Sequence, residues 1–264
     1  MTRTARPLTP PSEAQVLRGP GEITEDEATR AVAGVYDRLR GALGVGFVPT
    51  VFRMLACHER YFVAAIDAVA PLLDGGRGQQ LGAQIRAIAA HASETAGIGS
   101  LPASPDPATF APLFDRYNEA NPRSLVLVRV LARDVAAAAG VMQPPLPPRS
   151  PDALLEEIRA CHGGLTVPGL WRELYAISPQ RAAAAWVAAR DAAPTTAFAR
   201  ALTDIIALAD EAGAGCVAPT PADLAVDERA AREVERILGW FKIVIPTMIV
   251  EIECLRRAVA GAIR

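Results

Sequence analysis

The sequence is poor in the residues from which metal centres, disulfide frameworks and sheets are built. Its four cysteines, Cys57, Cys161, Cys216 and Cys254, show no CxxC spacing. That argues against both a disulfide framework and a zinc site, and predicts reduced, buried thiols. The three histidines, His58, His91 and His162, form no HxxxH or ExxH pattern, so no metal is expected. Cys161-His162 sets a thiol beside a base, but adjacent residues on a helix face apart and no catalytic dyad is expected. No stretch reaches the roughly 18 apolar residues needed to span a bilayer. Residues 1–20 lack the apolar core of a signal peptide. Excess charge is missing too: 27 basic residues against 29 acidic ones leave no footprint for nucleic acid or an anionic membrane. No pair of strand-like runs flanks a tight-turn signal. These absences lead to an expected cytoplasmic, all-α protein without nucleic-acid or membrane partners.

What is present is a repeat. Residues 44–56 and 163–175 each carry a Gly-rich lead-in, Val-Pro, two residues, an aromatic, an Arg, and a Leu two places on. Val48 pairs with Val167, Pro49 with Pro168, Phe52 with Trp171, Arg53 with Arg172 and Leu55 with Leu174, all at an offset of 119. Leu39-Arg40 and Ile158-Arg159 keep the same offset. A second block follows in the same order: Pro122 pairs with Pro246, Leu131 with Leu255 and Arg133 with Arg257, now at 124. A loop five residues longer in the second half accounts for the change. The chain is therefore divided into a disordered leader (1–21), a first helical repeat (22–140), a linker (141–151) and a second repeat (152–264). Five prolines mark the linker. Two like halves would pack about a pseudo-twofold axis, as subunits do in a homodimer. That satisfies the pairing surface within one chain and predicts a monomer or a weak homo-oligomer.

Periodicity and caps locate the helices. Thr24 with Glu27 suits a capping box, and Ala31, Val35, Leu39 and Leu43 form a stripe, so residues 22–43 read as helical. Gly44 and Gly46 suit a helix end, and Pro49 the first position of the next helix. That helix runs over 50–73 with a break near His58. Residues 79–96 and 109–118 are helical, and Asn121-Pro122 is expected to break the chain before a helix over 123–140. In the second half helices are expected over 194–212 and 222–238, with a turn at Pro246 before the last segment.

With these blocks in view, the chain resembles the group I 2-haloacid dehalogenases. The resemblance rests on the tandem repeat, the Val-Pro-x-x-aromatic-Arg-x-Leu blocks, Asn-Pro-x-x-Leu from Asn121, and the Ile-Pro-Thr-Met-Ile-Val stretch from Ile245. It implies a single-chain pseudo-dimer with a site between the repeats. It also implies hydrolysis of short 2-halocarboxylic acids without metal or organic cofactor, by a water that an Asp activates. Asn121 matches a family site residue and would orient the nucleophile or substrate. Its repeat counterpart is Ile245, so no structural rule shared by both halves demands Asn there. The Asp itself is missing. Its expected place reads Val167-Pro168-Gly169-Leu170-Trp171-Arg172, and Glu173, turned about 100° per residue along a helix, is expected to point elsewhere.

Glu251 and Glu253 on the last helix are candidate substitutes for the acid. Thr50, Phe52, Trp171, Tyr175 and Trp240 are candidate substrate contacts, the aromatics forming an apolar wall. The helix tips at Pro49 and Pro168 would offer anion-binding amides. Arg53 and Arg172, present in both halves, are expected to be structural partners for carboxylates. Three functions stay open on this sequence: hydrolytic dehalogenation, an intramolecular displacement that closes a ring with halide loss, and non-catalytic binding of a small carboxylate.

Overall fold

Apolar residues recur at helical spacing from residue 30 onward, and the chain folds accordingly. The computed structural model describes residues 21–96, 110–137 and 151–261. Residues 1–20, 97–109, 138–150 and 262–264, among them most of the expected leader and linker, lie outside the described residues. Every regular element among the described residues is a helix. The first half holds α1 (Arg30–Leu43), α2 (Thr50–Leu55), α3 (Glu59–Val69), α4 (Arg77–Thr95) and α5 (Ala111–Leu131). The second repeats the order with α6 (Pro151–Cys161), α7 (Gly169–Ile177), α8 (Pro179–Ala192), α9 (Thr196–Gly213) and α10 (Glu228–Gly261). Short 3₁₀ turns at Glu25–Glu27, Ala56–His58 and Ala70–Leu73 complete the first half.

Local chemistry sets the ends. Thr29 caps α1 by accepting from the Val32 amide, while the Thr24–Glu27 capping box belongs to the short turn before it. Gly44 ends α1 at φ 68°, a left-handed conformation that glycine adopts without strain. The break expected near His58 is there, as the 3₁₀ turn between α2 and α3. Ser178 caps α8 and Thr195 caps α9 in the manner of Thr29.

Two expectations at prolines are corrected. Neither Pro122 nor Pro246 interrupts its helix: α5 runs through the first and α10 through the second. A proline inside a helix costs about 3 kcal/mol in a lost hydrogen bond and a clash. Around these two prolines the helices are buried on all sides, Ala120 to Val128 in α5 and Val244 to Leu255 in α10. Packing on every face holds the helical path where sequence alone favours a stop. α5 ends at Leu131, short of the expected residue 140.

These two helices form the centre, packed on each other, with the rest around them. α4 packs on α9, α4 on α10 as α9 does on α5, and α2 on α10 as α7 does on α5. Among the described residues no helix is long and apolar enough to cross a membrane. The cysteines are not uniformly buried: Cys161 and Cys254 are, Cys216 is half-buried and Cys57 is exposed.

Candidate active site

Continuity of α5 through Pro122 puts three polar residues on one face. Tyr117, Asn121 and Ser124 stand at i−4, i and i+3. On α10, Phe241, Val244, Ile245 and Met248 share a face by the same rule. These two faces, with the tips Pro49-Thr50-Val51 of α2 and Pro168-Gly169-Leu170 of α7, enclose a cavity of about 40 Å³. A water needs roughly 10–15 Å³ by this measure, so the space suits a ligand of a few heavy atoms.

The repeat offsets reveal how the cavity is polarised. Positions paired by these offsets both contribute to its lining: Thr50 with Gly169, Val51 with Leu170, Tyr117 with Phe241, Asn121 with Ile245, Ser124 with Met248. In four of these pairs the first half contributes a polar side chain and the second does not. One wall can therefore hold polar groups of a ligand while the other excludes water.

The polar wall is partly unpartnered. Ser124 is 1% exposed and its hydroxyl has no hydrogen-bond partner among the described residues. The Asn121 amide, 9% exposed, has no protein partner among the described residues. Buried polar groups left without a protein partner are uncommon and call for water or ligand. The amides of Gly169 and Leu170, in the first turn of α7, also lack intrahelical acceptors.

The two remaining polar groups are wired to charges of opposite sign. Thr50 Oγ1 accepts from Arg172 at 3.0 Å. Arg172 and Arg53 both pair with the fully buried Glu22, at 2.9 and 2.8 Å. Two guanidiniums share that carboxylate behind Thr50. Since Thr50 accepts from that side, its own proton is available to the cavity. Tyr117 is the reverse case. Its hydroxyl donates to Glu173 Oε1 at 2.6 Å, and Arg116 pairs with the same carboxylate while lying over the Tyr117 ring at 5.6 Å. Burial holds the Tyr117 phenol above its usual range, against the lowering pull of Arg116, Arg172 and Arg53. The phenol keeps its proton and gives it to Glu173, so towards the cavity its oxygen can only accept.

Gly169 explains how Tyr117 comes to be there. A Cβ at position 169 would lie 2.6 Å from the Tyr117 hydroxyl and 3.2 Å from Thr50 Oγ1. The space a side chain would take is occupied by the phenol. Gly169→Ala is accordingly expected to lose about 1–3 kcal/mol in thermal unfolding through overpacking. The same change in a Tyr117→Phe background, where the hydroxyl is gone, is expected to be near neutral. Equal losses in both backgrounds would contradict this account.

Of the residues singled out from sequence, Asn121 and Thr50 line the cavity. Phe52 is fully buried in the core and Tyr175 is half-buried, neither in the lining. Trp240 stands behind the wall, its ring edge-on to Phe241 at 4.6 Å. Trp171 and Glu251 meet in a separate buried cluster: Trp171 Nε1 and His162 Nε2 each lie 3.3 Å from Glu251 Oε2. Glu253 is held by Asn118 at 2.6 Å and by Arg256. Neither candidate acid reaches the cavity, and among the described residues no Asp or Glu lines it. Glu173, expected to point elsewhere, does reach Tyr117. Tyr117 and Ser124 were missed from sequence, although helical spacing from Asn121 locates both. Among the described residues no three His, Cys, Asp or Glu side chains gather in a way that could hold a metal ion.

No family model and no curated protein matches the sequence. Solved structures share its fold. A D-2-haloacid dehalogenase in complex with L-LA aligns at a TM-score of 0.77 and 15% identity, over 90% of this chain and 95% of that one. A D-2-halacid dehalogenase mutant aligns with the same figures. A D-2-haloacid dehalogenase mutant with D-2-CPA aligns at 0.75 and 14% identity, with the same coverage. At these identities the likeness establishes a shared fold.

Proposed function

We propose that the chain is a cofactor-independent enzyme that displaces halide from sp3 carbon in a small 2-halocarboxylate, within the cavity between the two helical sets. The observation that carries the proposal is the polarised cavity. Unpartnered Asn121 and Ser124, and Thr50 backed by two arginines, suit a small anion, while Phe241, Val244, Ile245 and Met248 suit an apolar substituent and a weakly solvated halide. The dehalogenase-like fold supports the reaction class. The recurring element order and matched packing support a tandem duplication about a pseudo-twofold axis, with the cavity on that axis. A monomer suffices for this arrangement.

In the leading reading water is the nucleophile and the product is a 2-hydroxy acid. A second reading is favoured by the absence of any carboxylate in the lining: a hydroxyl or amine within the substrate attacks, closing a ring as halide leaves. Halide release from 2-chloropropionate and longer haloacids tests the shared part of the proposal, and silence across the panel rejects it. In H₂¹⁸O, hydrolysis places one solvent oxygen in the product and ring closure places none. Asn121→Ala is expected to lower kcat/KM about 100-fold by loosening the reacting geometry. An Asn121→Ala enzyme within threefold of wild type would remove Asn121 from the site.

A further inference from the structure

Among the groups facing the cavity, only Tyr117 is joined to a side chain that can take up a proton. Thr50 is joined to guanidiniums, and Asn121 and Ser124 to no protein group among the described residues. The geometry points to Tyr117 and Glu173 as a two-member proton relay that activates the O–H nucleophile in the absence of a cavity-lining carboxylate; this rests on the function proposed above. Tyr117 is the catalytic residue, since it touches the cavity. Glu173 acts through it.

The arrangement meets the requirements of such a relay. The phenol proton is already committed to Glu173 Oε1 at 2.6 Å, within the distance for direct transfer. Because a carboxylate is acceptor-only, the cavity face of the phenol oxygen is an acceptor site, and the group bound there must be a donor. Water, or a hydroxyl of the substrate, is such a donor. Opposite polarity at Thr50 separates the tasks: anionic ligand atoms lie towards Thr50 and the nucleophile towards Tyr117. Gly169 leaves the phenol its position.

The step balances. The nucleophile's O–H bond breaks as its oxygen lone pair forms the new bond to carbon. Its proton passes to the Tyr117 oxygen while the phenol's own proton passes to Glu173. The carbon–halogen bond breaks with both electrons leaving on the halide. Glu173, now a carboxylic acid, returns its proton to solvent, which reaches it because the side chain is 25% exposed.

Glu173→Gln separates a relay from a mere prop. The amide oxygen still accepts from the phenol, so position is kept, but no proton can be stored. The expected result is a fall in kcat of at least about 100-fold, with the acid limb of the wild-type kcat/KM profile flattened. The thermal shift given by the hydroxy-acid product should be retained. Tyr117→Phe is expected to lose rate to the same degree. If wild type releases halide and both variants stay within threefold of it, the relay is overturned and the proposed function stands. Should wild type release no halide from any haloacid, both fall. An 18-oxygen label in the product identifies water as the relay's donor, and an unlabelled cyclic product identifies the substrate hydroxyl.

Discussion

Replacing Glu22 with alanine is expected to destabilise the fold by about 3–5 kcal/mol, read as a drop in the urea midpoint. Its side chain is fully buried and receives both repeated arginines, Arg53 at 2.8 Å and Arg172 at 2.9 Å. Arg172 itself is only 5% exposed. Removing the carboxylate takes from a buried guanidinium its partner at 2.9 Å, and breaking a buried pair from one side costs far more than the net worth of the pair. Glu22→Gln keeps a neutral acceptor and should lose less. A surface pair contributes at most about 1 kcal/mol, so a Glu22→Ala loss that small would mean the cluster is solvated and the account is wrong. The effect should also reach the cavity, because Arg172 holds Thr50 Oγ1 at 3.0 Å.

That cluster illustrates what a linear reading can and cannot supply. The recurrence of Arg53 and Arg172 is visible in sequence and correctly suggests carboxylate partners. Their convergence on one acid at the very start of the described chain is not, since 150 residues separate Glu22 from Arg172. The same holds for the cavity. The order of helices follows from caps, glycines and apolar stripes, all local signals. The continuity of α5 and α10 does not, because local propensity at Pro122 and Pro246 favours a stop and only burial on every face overrides it. Reading a break at Asn121-Pro122 separated Tyr117 from Asn121 and Ser124, which one unbroken helix brings together. Aromatic residues misled for a related reason. Phe52 and Trp171 follow the helix tips, but on a helix two or three residues turn a side chain away from the tip and into the core.

Chemical difference between the paired positions is what makes the cavity directional. Were the residues at paired positions alike, both halves would present the same chemistry, and a ligand would have no reason to prefer one orientation. With Thr50, Tyr117, Asn121 and Ser124 contributed by the first half and Gly169, Phe241, Ile245 and Met248 by the second, an orientation that meets the polar groups is favoured over one that buries them against carbon. Each buried, unmatched polar group costs about 1–3 kcal/mol, enough to fix the orientation of a small substrate. The glycine at 169 adds to this contrast. It removes a side chain from one half so that the phenol of the other can enter.

A second polar cluster lies in the core of the second half, and its removal is the other large effect expected. Glu251 is fully buried, with His162 Nε2 and Trp171 Nε1 each 3.3 Å from one oxygen and the Ile158 carbonyl 2.7 Å from His162 Nδ1. Glu251→Ala strands both ring donors and should lose about 3–5 kcal/mol in urea unfolding. The pH dependence carries a sign that identifies the cause. Burial alone pushes His162 down, but the charge and hydrogen bond of Glu251, with the Ile158 carbonyl, hold it above its ordinary value. A histidine raised on folding stabilises fully below its unfolded value of about 6.5, and that contribution is lost as pH rises through the folded value. Stability of the wild type should therefore decline on going from about pH 6 towards alkaline pH. In Glu251→Gln only burial and the carbonyl remain, so the decline should flatten or reverse; an unchanged slope would show that His162 is not its source. The first half carries Leu43, Leu127 and Phe52 at the paired positions, all fully buried. Copying that trio with His162→Leu, Glu251→Leu and Trp171→Phe is expected to recover most of the loss, since a buried ion pair is often replaceable by well-packed apolar groups at little cost. Halide release should survive the triple change, because none of the three residues lines the cavity.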